Sequence, residues 1–378
     1  MIRPFTIHVD DDRLALLAQR LSTITWPNVP EGTDGHGIRV ARVRELVEHW
    51  RSGFDWRVFE ATLNECSHVM SDAGEYPLHL VHERAHEASG VPIVLLHGWP
   101  DGFLRYRKLI PRLVDAGHDI VVPSLPGFGF SGQPQGPVTT AAAATRLHEA
   151  LVELGVERYA VHGGDWGSVV ADELARTYPD EVLALHLTDV PFHKFFELDR
   201  ATLTEAERAF VAENDAWVEQ AVYYSVQSAE PLTLAYGLTD SPVGLLAWIA
   251  DKFDAWSDEV DPDDVVGLAA LTWLTNTTWS GMRLYADDAG DWSEDGSLED
   301  AWSAGQDSES DGPLDVPTGF SMFPRDITRP PREYAERFYR VVDWHDHDTG
   351  GHFAATEVPD LLATDLVGFL DSVVPTRL

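Results

Sequence analysis

The hexapeptide Gly163-Gly164-Asp165-Trp166-Gly167-Ser168 lies between a short apolar run, Tyr159-Ala160-Val161, and a segment that reads as a helix beginning near Ser168. Small residues on both sides of a central position let a chain turn sharply from strand to helix, and such a turn lifts the middle side chain clear of a sheet. The spacing is that of G-x-S-x-G, with aspartate where serine is usual. That exchange alters the chemistry. A serine that opens an alkyl electrophile leaves an ether, which water does not readily cleave. A carboxylate that attacks an sp³ carbon leaves an ester, which an activated water cleaves at the acyl carbon. Asp165 therefore selects for epoxides or alkyl halides and against ordinary esters and amides. The bland alternative is a glycine-rich turn whose aspartate caps the next helix.

An ester intermediate needs oxyanion donors and a general base. His97-Gly98-Trp99-Pro100 ends the apolar run Val91–Leu96, and Gly98 permits a tight turn there. The backbone N–H groups of Trp99 and Trp166 are placed to stabilise an oxyanion, while His97 itself reads as structural. Of 16 histidines, His352 in Gly350-Gly351-His352-Phe353 is the best base. It comes late in the chain, after the nucleophile, in a glycine-flanked loop that can fold over a sheet edge. His345 and His347 are its nearest rivals. The carboxylate that orients the base stays open between Asp326 and Asp189, each of which follows a strand-like run. Position favours Asp326. Asp343, Asp346 and Asp348 stand too close in sequence to His352.

These residues need a scaffold. Val91–Leu96, Ile120–Val122, Tyr159–Val161 and Val182–Leu185 are apolar throughout and separated by helical stretches such as Thr139–Leu154. Buried strands alternating with helices mean a parallel sheet with βαβ crossovers, whose chemistry sits at the carboxyl ends of the strands. Residues 1–88 read as a mainly helical leader. Leu14, Leu16, Leu17 and Leu21 follow Asp10-Asp11-Asp12, further helices run from Val40 to about His49 and around Trp56–Cys66, and a strand spans Leu78–His82. Residues from about 195 to 285 contain no comparable strand run and read as a helical insertion. Residues 286–315 carry eleven Asp or Glu and no Lys or Arg, the pattern of an exposed acidic loop. Strand-like runs return at Val316–Phe320 and Phe338–Trp344, and Pro359–Leu370 has helical spacing. The expected division is a leader at 1–88, an α/β core at 89–194 and 313–378, and a helical cap with an acidic loop at 195–312.

Composition narrows the partners. Of 378 residues, 27 are Lys or Arg and 63 Asp or Glu, a formal net charge of -36. A polyanion would be repelled, which argues against nucleic acid as a partner and disfavours anionic membrane surfaces. No run approaches 18 apolar residues, and the N-terminus lacks the pattern of a signal peptide. Cys66 is the only cysteine, so neither an intrachain disulfide nor a thiolate cluster can form. A cytoplasmic enzyme without metal or cofactor fits these features. His345-Asp346-His347-Asp348 reads as an exposed turn and not as a metal site. Lysine occurs only at 108, 194 and 252. We favour a GC-rich genome over a salt-rich cytoplasm as the source of that bias.

Taken together, the motifs resemble the α/β-hydrolase epoxide hydrolases, in the branch with an N-terminal epoxide-hydrolase domain that includes the microsomal and juvenile-hormone enzymes. The resemblance covers nearly the whole chain. It is carried by Pro4-Phe5-x-Ile7, by Arg20-Leu21 through Trp26-Pro27, by the His97, Asp165 and His352 motifs, and by Leu125-Pro126-Gly127-Phe128-Gly129-Phe130-Ser131. It implies an α/β-hydrolase fold with a helical cap. It implies that the acid after Phe323-Pro324 is Asp326, where the family usually carries Glu. It also implies two cap tyrosines that hold the epoxide oxygen, Tyr223 (with Tyr224 as its neighbouring alternative) and Tyr285. Without the resemblance these would read as core aromatics. The implied reaction converts an epoxide to a vicinal diol through an ester on Asp165, with water activated by His352. The membrane-bound members carry an anchor before the leader, so a soluble enzyme is expected here. Thirteen Trp and 16 Phe suit an apolar or aromatic epoxide, and homo-oligomer formation is left open. The alternatives are a haloalkane or haloacid dehalogenase with the same Asp–His machinery, and a non-catalytic binding protein of the same fold.

Overall fold

The computed structural model of the chain describes residues 1–30, 32, 36–195, 198–289 and 312–374. Among these, strands β1 (Arg3–Phe5), β2 (His68–Ser71), β3 (Leu78–Glu83), β4 (Ile93–Leu96), β5 (Ile120–Pro123), β6 (Tyr159–Gly163), β7 (Val182–Leu187), β8 (Leu314–Met322) and β9 (Tyr339–Asp346) form a single sheet. Its order is β1-β2-β3-β5-β4-β6-β7-β8-β9. From β5 through β9 neighbouring strands are parallel, whereas β1, β2 and β3 pair antiparallel and β3 joins β5 antiparallel.

The central strands are apolar on both sides because both sides are covered. Ile93 and Leu95 point into one apolar cluster, with the leader helices, the inserted helices and the final helix Pro359–Val373. Val94 and Leu96 point into the other, with the helices Thr140–Leu154 and Trp166–Thr177. The period of two along each strand assigns every residue to one face.

The leader differs from the sequence expectation in one respect. Its helices are present, as Asp11–Ser22, Val40–Ser52 and Trp56–Leu63, and its expected strand is β3, but it also supplies two further strands, β1 and β2, to the sheet. β1 and β2 have three and four residues, too few to display the alternation that marks a strand in sequence. The leader helices also pack against the inserted helices Pro242–Trp256 and Pro262–Thr275. Arg13 donates to the Trp273 carbonyl at 2.8 Å, and Arg20 and Arg42 pair with Asp240 and Asp254. One segment thus holds both the sheet and the insertion.

Among its described residues the insertion is built from helices joined by short connections and contains no strand, from Glu205–Gln220 to Thr278–Ala289. Thr204 and Glu207 form a capping box at its first long helix. Proline starts Pro231–Asp240, Pro242–Trp256 and Pro262–Thr275, where its missing N–H costs nothing. Of the acidic stretch, Asp287 and Asp288 lie on the last inserted helix and Asp315 on β8; its remaining acidic residues fall outside the described residues. No described helix is long and apolar enough to cross a membrane.

Candidate active site

β6 ends at Gly163, and the helix Trp166–Thr177 starts three residues on, slightly earlier than expected. Asp165 sits at the apex with φ 58° and ψ -136°, a region that costs a non-glycine residue on the order of 1–3 kcal/mol. The turn is tight: a Cβ on Gly163 would lie 2.4 Å from the Gly167 carbonyl oxygen. Asp165 makes no side-chain cap to the helix, which removes the bland reading of this turn. Its Oδ1 accepts the Trp99 backbone N–H at 2.8 Å, and the Trp166 backbone N–H also donates to the carboxylate. Both expected oxyanion donors therefore converge on Asp165. Burial raises the Asp165 pKa. The His352 charge and the two N–H donors offset only part of that rise.

His352 lies in the loop after β9. Its N–H donates to the Trp256 carbonyl at 2.8 Å, and its own carbonyl accepts from the Arg105 guanidinium. Its Nδ1 is 2.7 Å from Asp326 Oδ1. Its Nε2 has no hydrogen-bond partner among the described residues and lies 3.6 Å from Asp165 Oδ2. The shorter aspartate thus reaches the imidazole from the end of β8. Burial works against the imidazolium, but the charge and hydrogen bond of Asp326, with the charge of Asp165, outweigh it and raise the His352 pKa above its usual value. Asp189, the rival acid, follows β7 and turns elsewhere. Its Oδ2 accepts the Asp165 backbone N–H at 2.5 Å. Burial, and then the Asp326 charge, push Asp189 up to about 7. His97 braces two loops, with Nδ1 on the Gly98 carbonyl and Nε2 accepting the Leu125 N–H. His345 and His347 pair with Asp343 and Asp365 instead.

Two inserted helices bring tyrosines over this centre. Tyr223 on Val222–Ala229 and Tyr285 on Thr278–Ala289 are both buried. Their ring centroids are 6.2 Å apart. Trp99 stacks on Tyr223, and Trp166 meets Tyr285 edge-on at 5.0 Å. Both phenols lie in the field of Asp165, which together with burial presses their pKa values well above the usual one. Tyr224 also borders the cleft, and burial pushes its phenol pKa above the usual value. The cleft between sheet and insertion has a water-accessible interior of about 100 Å³ and is bordered by Asp165, His352, Asp326 and both tyrosines. From there it extends past Phe192, Phe195, Phe210 and Trp217.

Several residues of the site were not expected from sequence. Arg105, almost wholly buried, pairs with Asp101 at 2.7 Å beneath the His352 loop. Glu357 accepts the Phe353 and Asp258 N–H groups, and burial pushes it up to about 7. Lys252 reaches the ring of Tyr223. No local signal separates this arginine from 23 others; the rarity of lysine was a signal for Lys252, though not for its place. Among the described residues no group of three or more His, Cys, Asp or Glu is arranged to hold a metal ion.

A carboxylate on a strand-to-helix turn of a mostly parallel sheet, with an Asp-paired histidine beside it, is the arrangement of an α/β hydrolase that carries aspartate at this turn. Residues 91–229 match the alpha/beta hydrolase fold, and residues 2–106 match the epoxide hydrolase N terminus. A Stigmatella aurantiaca (strain DW4/3-1) protein assigned to the epoxide hydrolases is 35% identical over 385 residues, covering 97% of this chain and 84% of that one. Epoxide hydrolase 1 of Sus scrofa is 27% identical over 416 residues, 98% of this chain and 88% of its own. The solved epoxide hydrolase of Aspergillus niger superposes with a TM-score of 0.83 at 28% identity, covering 99% and 97% of the two chains. Juvenile hormone epoxide hydrolase from Bombyx mori gives 0.85 at 25%, covering 99% and 95%. The chain belongs to the epoxide hydrolase family.

Proposed function

We propose that Asp165 is the nucleophile of a two-step epoxide hydrolysis that ends in a vicinal diol. Tyr223 and Tyr285 bind the epoxide oxygen. Asp165 Oδ2, the oxygen not held by Trp99, attacks a ring carbon. The epoxide C–O bond breaks as a tyrosine proton passes to the alkoxide. His352, oriented by Asp326, then takes a proton from water, and that water attacks Cγ of Asp165. The N–H groups of Trp99 and Trp166 hold the oxyanion until the acyl C–O bond breaks and the diol leaves. The departing alkoxide takes the second proton of the water, carried onto Cγ as the hydroxyl, so that Asp165 is again a carboxylate, and the proton on His352 is returned to the tyrosinate. Burial of both phenols keeps them protonated at rest, as an acid must be.

The observation that carries the reading is the double engagement of one carboxylate. Asp165 Oδ1 accepts the Trp99 N–H at 2.8 Å while Oδ2 faces His352 Nε2 at 3.6 Å. A carboxylate held in this way is ready to be alkylated on one oxygen and hydrolysed at its carbon. Phe192, Phe195, Phe210 and Trp217 along the cleft favour an apolar or aromatic epoxide.

A single turnover in ¹⁸O-water tests the route. The diol should carry unlabelled enzyme oxygen, and solvent label in the diol would reject the ester. The His352→Gln variant soaked with styrene oxide should gain one substrate mass at Asp165.

A further inference from the structure

Tyr223 is enclosed by rings. Trp99 stacks on it with centroids 5.2 Å apart and planes within 9°, and Trp256 and Trp217 meet it at steep angles. A cation reaches the same ring. Lys252, on the helix Pro242–Trp256, places Nζ 4.8 Å from the Tyr223 centroid, 5.6 Å from that of Trp256 and 5.7 Å from that of Trp248. All three distances are within the range of cation–π attraction. Its side chain is 13% exposed, and Asp251 accepts from Nζ at 2.6 Å. Lysine is one of the least used residues in this chain, at three positions. Its ammonium is a compact charge, unlike the planar guanidinium that the chain uses elsewhere.

That charge answers a difficulty in the chemistry. A buried phenol close to a carboxylate is a poor acid, and Tyr223 is such a phenol. When the epoxide opens, its C–O bond breaks, the Tyr223 hydroxyl proton passes to the alkoxide, and the O–H electron pair stays on the phenolate. A cation over the ring attracts the phenolate more strongly than the phenol, and partial desolvation strengthens that preference.

We propose that Lys252 acts through Tyr223 to promote epoxide opening, its ammonium over the ring stabilising the phenolate that the opening leaves behind. Lys252 is thus a positioning residue that touches no reacting atom. The proposal rests on the reading of Tyr223 as an acid, and it separates the two steps of the reaction. Ester formation draws a proton from Tyr223, whereas ester hydrolysis draws on His352.

The test is a double-mutant cycle on the pre-steady-state rates. Its probe is styrene oxide, or whichever epoxide in an aryl and alkyl panel is turned over fastest. Lys252→Met should slow ester formation about tenfold while changing ester hydrolysis less than twofold. Lys252→Arg should restore most of the loss. In the Tyr223→Phe background, Lys252→Met should have no further effect. Lys252→Gln takes its place if the methionine variant does not fold. The proposal is overturned if ester formation is unchanged, if both steps slow equally, or if the loss is the same in the Tyr223→Phe background. If Tyr223→Phe itself leaves ester formation untouched, the reading of Tyr223 fails instead.

Discussion

Asp326 Oδ1 lies 2.7 Å from Nδ1 of His352, and the opposite nitrogen of the same ring faces Asp165 Oδ2 at 3.6 Å. The Asp326 side chain is 2% exposed, so its charge is little screened. It fixes the ring orientation and favours the imidazolium that forms when water gives up a proton. Asp326→Asn keeps the volume, removes the charge and presents the wrong hydrogen-bonding partner to Nδ1. Ester hydrolysis should fall by a factor on the order of 10³–10⁴, with ester formation far less affected. Intact-protein mass spectra after mixing with epoxide should then show the adduct accumulating. An Asp326→Asn enzyme that turns over at the wild-type rate with no adduct would remove Asp326 from the reaction.

The same pair sets the pH dependence. His352 must be neutral to accept a proton from water, and its pKa in the folded enzyme is above the ordinary imidazole value. In the ester Asp165 carries no charge, so Asp326 alone opposes burial there, and the rate of ester hydrolysis should rise with pH through an inflection no higher than that of the free enzyme and level off beyond it. In Asp326→Asn that opposition is lost and burial remains, so the inflection should move lower still. Single-turnover decay of the ester across a pH series measures both. An inflection that does not move on substitution would show that Asp326 does not tune the ring.

Gly98 is a second constraint on Asp165. A Cβ at Gly98 would stand 2.1 Å from Asp165 Oδ1 and 2.5 Å from its Cβ, so Gly98→Ala forces the carboxylate away from the Trp99 N–H. Ester formation should drop on the order of 10²-fold, and stability should fall by about 1–3 kcal/mol from overpacking. Gly102→Ala is the control. There an added Cβ meets only Leu268 Cδ1, at 3.7 Å, and both activity and melting temperature should stay near those of the unaltered enzyme. Equal losses in the two variants would point to a general effect of the added methyl groups.

How far the sequence carries the site can be judged from its acids. The turn around Asp165 and the late His352 are visible because glycines bracket them and backbone geometry demands glycines there. Position favours Asp326 over Asp189 only weakly, since each follows a strand and β7 and β8 are neighbours. Only three dimensions show one carboxylate on His352 and the other on the Asp165 N–H. The tyrosines needed the family resemblance, because an amphipathic aromatic on a helix looks the same in a core and in a cleft. In the fold, the four central strands are legible from apolar runs, whereas β1 and β2 are too short to carry a period and owe their pairing to partners distant in sequence.

Arg105 gives the most demanding prediction, because nothing in its sequence context announces it. Its side chain is 1% exposed and pairs with Asp101, itself 4% exposed, at 2.7 Å. The same guanidinium donates to the His352 carbonyl, and the Arg105 carbonyl accepts from the Thr356 hydroxyl at 3.2 Å. Replacing a buried pair as a unit is often neutral, but removing one member strands the other charge in the interior. Arg105→Met should therefore destabilise the fold by about 3–5 kcal/mol in urea titration, and Arg105→Met/Asp101→Asn should recover a substantial part of that loss. Activity separates a second role. If the guanidinium also anchors the His352 loop, the double variant regains stability but not ester hydrolysis, since the carbonyl of His352 still lacks its donor. Recovery of both together would confine Arg105 to balancing Asp101.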